Sequence, residues 1–296
     1  MKIDEIGEAG VIKRIWEVFG RENENEDVHF YDLGSKYILL AVDTINERHH
    51  FEKGWNPELI GKFLVDINVS DIASKNGKPT EMMASMSFPR NTDETWVIAM
   101  IKGMKKELEK YDIVYSGGDL KESPHISLTG LVIGEVEKGK EYRRNGARPG
   151  DFVYITHRIG RNEMAIFNYY KHPNAASDDI LNITPRVAEL TELRKHNVTS
   201  CIDNSDGIYK SLSLLASASN VNMRIENNVC DLEVDDEMRK VIYSIGGDYE
   251  LIFTSPDPIE KFPVIGSVKD GSGVTDIDGS SNIPSGFDHF LTRYHK

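Results

Sequence analysis

The sequence is poor in several things, and each shortage narrows the field. Two cysteines, Cys201 and Cys230, in 296 residues give neither a disulfide framework nor the spacing of a zinc site. No apolar run approaches the length that crosses a bilayer, and the start, Met-Lys-Ile-Asp-Glu-Ile-Gly-Glu, has no apolar signal core. A soluble cytoplasmic protein with no membrane partner is expected. Positive charge is in deficit: 35 Lys and Arg stand against 48 Asp and Glu, a formal net charge of −13. That balance argues against a nucleic-acid partner and suits a site that gathers cations, although plain solubility also explains acidity. The common phosphate signatures are missing too. There is no G-x-x-x-x-G-K-S/T loop, no protein-kinase glycine loop and no H-R-D. Any ATP chemistry must use a different architecture.

Apolar content is ordinary, so a core is expected. Residues 4–19 read as an amphipathic helix and 21–27 as a polar, acidic loop. Residues 37–42 form an apolar run read as a buried strand ending at Asp43. The clearest helix spans 57–77. Asn56 is its N-cap and Pro57 its first residue, with Gly77 and Pro79 as stop signals. Strands are predicted at 81–88, 112–116 and 126–133, with a helix at 92–111. The basic, turn-rich stretch 138–151 marks a boundary, giving domains 1–140 and 141–296. The second half offers strands at 152–156, 199–202, 249–254 and 264–268, and helices at 162–171, 185–196 and 208–219. Residues 270–290 show little periodicity. Mixed strands and helices in both halves predict an α/β or α+β protein of two domains.

On the helix from 57 to 77, Ile60, Phe63, Leu64 and Ile67 share a face that reaches Asp71 one turn later. Five further aspartates stand at strand ends or loop openings: Asp27, Asp43, Asp119 after Gly117-Gly118, and Asp203 with Asp206 around a strand-to-helix turn. Each alone reads as a helix cap or turn former. Together they are harder to dismiss. Carboxylates gathered at strand ends repel by roughly 4 kcal/mol per close pair at an effective dielectric near 20. Multivalent cations relieve that repulsion, and all-oxygen ligands select a hard ion such as Mg²⁺, which commonly accompanies a polyphosphate. Gly117-Gly118-Asp119 could let phosphate approach the main chain, or be a plain turn. Asp203-Asn204-Ser205-Asp206-Gly207 could hold phosphate at a helix start, or simply cap the helix. His49-His50 offers one histidine to a substrate or lies in a surface loop. Arg143-Arg144 is a phosphate clamp or a solvated basic turn.

The ordered set is specific. It comprises Gly7-Glu8, Asp27, Asp43-Thr44, His50-Phe51, Asn68-Val69-Ser70-Asp71, Gly117-Gly118-Asp119, Arg144 to Asp151, Asp203-Asn204-Ser205-Asp206-Gly207, Gly247-Asp248-Tyr249-Glu250 and Gly286-Phe287-Asp288-His289-Phe290. It resembles the thiamine-monophosphate kinase family, within the PurM-like superfamily of aminoimidazole ribotide synthetase, over nearly the whole chain. The resemblance implies a PurM-like two-domain architecture whose N-terminal domain forms a shared β-barrel across a homodimer. It implies several Mg²⁺ ions held by Asp27, Asp43, Asp71, Asp119, Asp203 and Asp206. ATP would meet Gly118, Asp119, Arg144 and Ser205, and thiamine monophosphate would meet His50 and Phe287. Asp71, Asp119 and Asp206 would serve direct, in-line transfer of the γ-phosphoryl group, giving thiamine diphosphate. The chain departs from the family pattern at Asn25-Glu26-Asp27, Ala41-Val42, Gly247, Phe287 and the turn from Arg158 to Asn162. Those departures leave open a related ATP-dependent enzyme with another small acceptor, or a catalytically silent nucleotide-binding homologue.

Overall fold

One helix, from Pro57 to Ser74, lies between the two sheets of the molecule, and thirteen of its eighteen residues are buried. The computed structural model describes residues 2–20, 25–172 and 178–292, so part of the loop expected at 21–27 lies outside the described residues. The chain opens with α1 (Ile3–Phe19), broken at Gly7, whose positive φ of 67° lets the backbone close on Asp288 and Leu291. Next come β1 (His29–Asp32), β2 (Lys36–Asn46), α2 (Pro57–Ser74), β3 (Lys78–Phe88), α3 (Glu94–Lys110), β4 (Val114–Glu122) and β5 (Ser127–Glu137). Their strands form one sheet in the order β1-β2-β5-β3-β4, antiparallel except for the parallel pair β3 and β4.

The rest of the chain supplies β6 (Phe152–Ile155), α4 (Arg161–Lys171), α5 (Asp178–Leu181), α6 (Leu190–Leu193), β7 (Ser200–Asp203) and α7 (Ile208–Ser219). After these come β8 (Asn222–Ile225), α8 (Asp236–Ile245), β9 (Leu251–Ser255), β10 (Val264–Lys269) and β11 (Gly273–Thr275). The second sheet runs β11-β8-β10-β6-β9-β7.

Helix α2 starts as the sequence predicts: Asn56 Oδ1 accepts from the Glu58 N–H at 3.0 Å, with Pro57 first in the helix. It ends earlier. Asn76, not Gly77, takes the left-handed conformation (φ 59°), and the Gly77 N–H bonds the Ile72 carbonyl at 3.0 Å. The apolar stripe packs into the first core with Leu39, Ile45, Met82, Leu128 and Met104. Its polar residues are buried as well, because Asp66, Asn68, Ser70 and Ser74 each find polar partners, Asn68 on the first sheet and Ser70 on the second. A second core lies under the second sheet around Leu212, Met223 and Ile252. A third, with Tyr154, Leu193 and Phe253, reaches across to Ala73 of α2. Cys201 and Cys230 are buried free thiols in different cores.

Several local expectations are corrected. Strand β2 continues through Asp43 to Asn46, because β5 pairs with it along that whole length. Gly117-Gly118-Asp119 is not a turn but the middle of β4. A Cβ on Gly118 would stand 1.8 Å from the Ala84 carbonyl, so the glycine is required by close β3–β4 packing. The helix expected over 185–196 contracts to Leu190–Leu193. There Arg186 reaches Glu250, while Leu190 and Leu193 enter the third core. Strands β1, β8 and β11 and helix α8 have no counterpart in the sequence reading.

Candidate active site

The last turn of α2 presents Ser70, Asp71 and Ser74 toward the second sheet. The Ser70 hydroxyl donates to Asp203 Oδ2 at 2.7 Å, tying α2 to the end of β7. Farther up the helix Asn68 accepts from the Asp43 N–H at 3.1 Å and donates to the Leu64 carbonyl at 2.9 Å, which fixes the strand against the helix. Gly130 leaves room for that amide: a Cβ there would lie 2.5 Å from Asn68 Nδ2. Oxygens of Asp27, Asp71 and Asp203 fall within 4.8 Å of one another. Three carboxylate oxygens at that spacing, contributed by a loop, a helix and a strand end, fit a hard divalent cation.

The electrostatics divide this cluster. Burial, then the neighbouring Asp203, Asp206, Asp27 and Glu8, push Asp43 up to about 7. Asp203 is likewise raised to about 7, by burial and Asp27, against the Ser70 hydrogen bond. Asp71 is raised well above the usual carboxylate range by burial and by Asp43, Asp203 and Asp27. Asp27 goes the other way. Burial raises it, but Arg144 and Lys75 outweigh that and hold it at about 2. Arg144 Nη2 bonds Asp27 Oδ1, and the Lys75 ammonium pairs with Asp27 Oδ2 and with Glu26 at 2.9 Å. Burial works against the Lys75 charge, yet Asp27 and Glu26 raise its pKa overall. Among the described residues, Arg144 Nε is a buried donor with no partner.

These groups sit at one end of a cleft of about 860 Å³. Ser205 and Asp206 line it from the turn after β7, and the Lys210 ammonium meets Asp206 at 2.7 Å. Lys210 also donates to the Phe287 carbonyl at 2.9 Å, and the Phe287 N–H bonds the Asp206 carbonyl at 3.0 Å, so the C-terminal segment hangs on this turn. Aromatic side chains complete the lining. His289 lies 5.6 Å from His50 and 5.0 Å from Phe287, ring centre to ring centre. Trp55 and Tyr169 pack edge to face at 5.1 Å. Burial, followed by His289 and His49, lowers His50 to about 4, and its Nδ1 accepts from the Asn46 N–H at 3.1 Å.

Of the residues singled out from sequence, Asp27, Asp43, Asp71, Asp203, Asp206, Arg144, Ser205, His50 and Phe287 meet in or directly behind this cleft. Asp119 and Gly118 do not line it. Asp119 is exposed on β4, paired to Lys121 at 2.9 Å, and that hydrogen bond keeps its carboxyl low. One residue escaped the sequence reading, and a second, Tyr249, entered it only within a motif and with no role. Lys75 stands four positions after Asp71, a helical-face spacing that could have found it. Tyr249, held at a φ of 56°, is packed edge to face on Phe63 at 6.1 Å, and burial beside Asp43 and Asp203 raises its phenol. No periodicity marks it.

Residues 25–136 match the family described as AIR synthase related protein, N-terminal domain. The thiamine-monophosphate kinase of Pyrococcus horikoshii is 30% identical over 282 residues, covering 90% of this chain and 90% of that protein. The chain belongs to the thiamine-monophosphate kinase family. The thiamine-monophosphate kinase of Aquifex aeolicus is 28% identical over 310 residues, covering 98% of this chain and all of that one. A solved structure, AaThiL complexed with AMPPCP and TMP, superposes with a TM-score of 0.84 at 28% identity, covering 98% of this chain and 99% of that chain. As in other thiamine-monophosphate kinases, the fold is PurM-like, with mixed α/β sheets. Gly247, a departure from the family pattern, lies against Ile166 and Asn162 of α4 at the cleft wall.

Proposed function

We propose that this chain transfers the γ-phosphoryl group of ATP to the phosphate of thiamine monophosphate, giving thiamine diphosphate and ADP. One observation carries the reading: a carboxylate cluster and a group of aromatic side chains line a single cleft. Likeness to a structure holding AMPPCP and TMP supports it. Mg²⁺, when bound, would offset the charge of the two meeting phosphates. Asp71, with Asp27, Asp43 and Asp203, would hold that ion. Asp206 and Ser205 open the turn at the start of α7, where main-chain N–H groups suit phosphate. Arg144, anchored by Asp27, keeps one donor for the nucleotide. Neutral His50 and the Phe287 ring offer π faces to a cationic thiamine ring. The chemistry needs positioning and charge compensation rather than a covalent intermediate.

The same reading includes two domains, 1–140 and 141–296, and a homodimer built on the first sheet. Strand β4 is a nine-residue edge strand, and long edges usually acquire a partner. Val42 on β2, Met83 on β3 and Val114 on β4 share the outer face of this sheet by their register and are exposed. Closing that face against a second copy as a shared barrel would carry Asp119 and Gly118 toward the partner's cleft. A cytoplasmic setting belongs to this reading, supported by the free thiols Cys201 and Cys230. No helix among the described residues is long and apolar enough to cross a membrane. The deciding experiment incubates the protein with ATP, Mg²⁺ and thiamine monophosphate and separates the products by chromatography. Thiamine diphosphate with matching ADP is expected; folded protein that yields neither refutes the assignment.

A further inference from the structure

Lys75 directly follows the last residue of α2, within the span that the sequence gives to the helix. Its side chain turns back into the acidic centre and is fully buried. All three ammonium hydrogens find oxygen: Glu26 Oε2 at 2.9 Å, Asp27 Oδ2, and the Cys201 carbonyl at 3.1 Å. Two chain segments distant in sequence thus converge on one cation. A buried ammonium is costly unless it is both paired and hydrogen-bonded, and here it is both.

The charges then separate into two groups. Glu26 and Asp27 are matched by Lys75 and Arg144, since Arg144 pairs with Asp27 through its guanidinium and bonds Glu26 through its main-chain N–H at 3.0 Å. Asp43, Asp71 and Asp203 form no ion pair with a lysine or arginine among the described residues. Asp27 borders both groups, its charge matched from within, while Asp43, Asp71 and Asp203 are left for ions from solution.

We propose that the Lys75 ammonium is a resident cation of this centre, standing where a metal ion would otherwise hold Glu26 and Asp27 together, so that the chain binds one divalent ion fewer than it would without Lys75. The proposal rests on the metal-binding reading of the cleft, but its test counts ions and does not depend on turnover.

Mn²⁺ bound per chain is measured without nucleotide, by calorimetry and by the spin resonance of free Mn²⁺. The samples are the wild type, Lys75→Met, and the double variant Glu26→Gln with Lys75→Met. Methionine keeps the length and removes the charge. Lys75→Met is expected to bind one more Mn²⁺ than the wild type, and to recover in Mn²⁺ the thermal stability that it loses in EDTA. The double variant, with one carboxylate fewer, is expected to return to the wild-type count. Equal counts in wild type and Lys75→Met overturn the proposal. So does a Lys75→Met chain that stays unfolded in Mn²⁺ while the double variant folds, because the charge is then one that no metal replaces. A wild type that binds no Mn²⁺ at all overturns both this proposal and the metal-binding reading beneath it.

Discussion

The Ser70 hydroxyl donates to Asp203 Oδ2 at 2.7 Å across the boundary between the two sheets, both groups being buried. With the Lys75 bond to the Cys201 carbonyl, it couples the helix carrying Asp71 to the strand carrying Asp203 and so helps set the spacing of the carboxylate cluster. Ser70→Ala leaves a buried carboxylate short of a donor, at a cost of about 1–3 kcal/mol. A lower melting temperature and weaker Mg²⁺ binding are expected together. A variant that melts lower but binds Mg²⁺ as tightly as wild type would separate stability from site geometry and refute the coupling.

Asp71 is the residue whose replacement should divide activity from folding most cleanly. Asn keeps the shape, removes one charge from a group of mutually repelling carboxylates, and takes away a ligand from the centre of the cluster. Loss of several kcal/mol of charge compensation lowers turnover by roughly 100-fold or more. Because repulsion is relieved, the melting temperature in EDTA should equal or exceed that of the wild type. Steady-state kinetics beside a thermal melt decide it; near-normal turnover would mean that phosphoryl transfer does not depend on the Asp71 carboxylate.

How much of this was legible beforehand depends on the range of the interaction concerned. The start of α2 is local chemistry, Asn56 followed by Pro57, and its sequence states it. So does α7, whose apolar spacing runs from Ile208 to Ser219. The aspartates could be gathered because they stand beside strands and turns that must converge. Gly117-Gly118-Asp119 misled because a glycine needed for close strand packing carries the same letters as one needed for a turn. The step of four residues from Asp71 could have brought Lys75 to the site, but not its pairing. Its partners Glu26, Asp27 and the Cys201 carbonyl come from segments far away in the chain, and nothing in the local pattern of 71–79 announces them.

The raised carboxylates give a pH dependence with a definite sign. Asp43 and Asp203, near 7 in the folded chain, sit far above their unfolded values. Groups of this kind contribute stability that is full below the unfolded pKa and is lost as pH rises through the folded one. Without divalent ions the melting temperature should therefore fall between about pH 4 and about pH 7. Metal binding competes with those protons, so the stabilisation given by Mg²⁺ should grow over the same interval. Melts in EDTA and in Mg²⁺ across that range provide the check, and a Mg²⁺ effect that shrinks with pH contradicts it.

The aromatic lining offers a test that separates the two substrates. Phe287→Ala removes a ring from the cleft while leaving its main-chain bonds to Asp206 and Lys210 available. Losing one stacked face costs about 1.4 kcal/mol, a tenfold rise in KM for thiamine monophosphate. The KM for ATP should stay within about twofold, since the nucleotide is assigned to Arg144 and to the turn at Ser205 and not to the Phe287 ring. Equal effects on both substrates would mean that Phe287 shapes the whole cleft and does not mark the acceptor end.

Asp119 carries the strongest test of the proposed assembly, because its own chain keeps it away from the cleft it is expected to serve. If it acts across a two-fold dimer, each centre combines Asp71 of one copy with Asp119 of the other. Asp71→Asn and Asp119→Asn should then each be inactive as homodimers. Mixed by unfolding and refolding together, they form heterodimers in which one centre carries both substitutions and the other carries neither. Half of the dimers are mixed and half of their centres intact, so roughly a quarter of wild-type activity should return. If Asp119 acts within its own chain, every centre in the mixture carries one substitution and no activity returns. The mixture therefore distinguishes a shared centre from a self-contained one, with the inactive homodimers as the internal control.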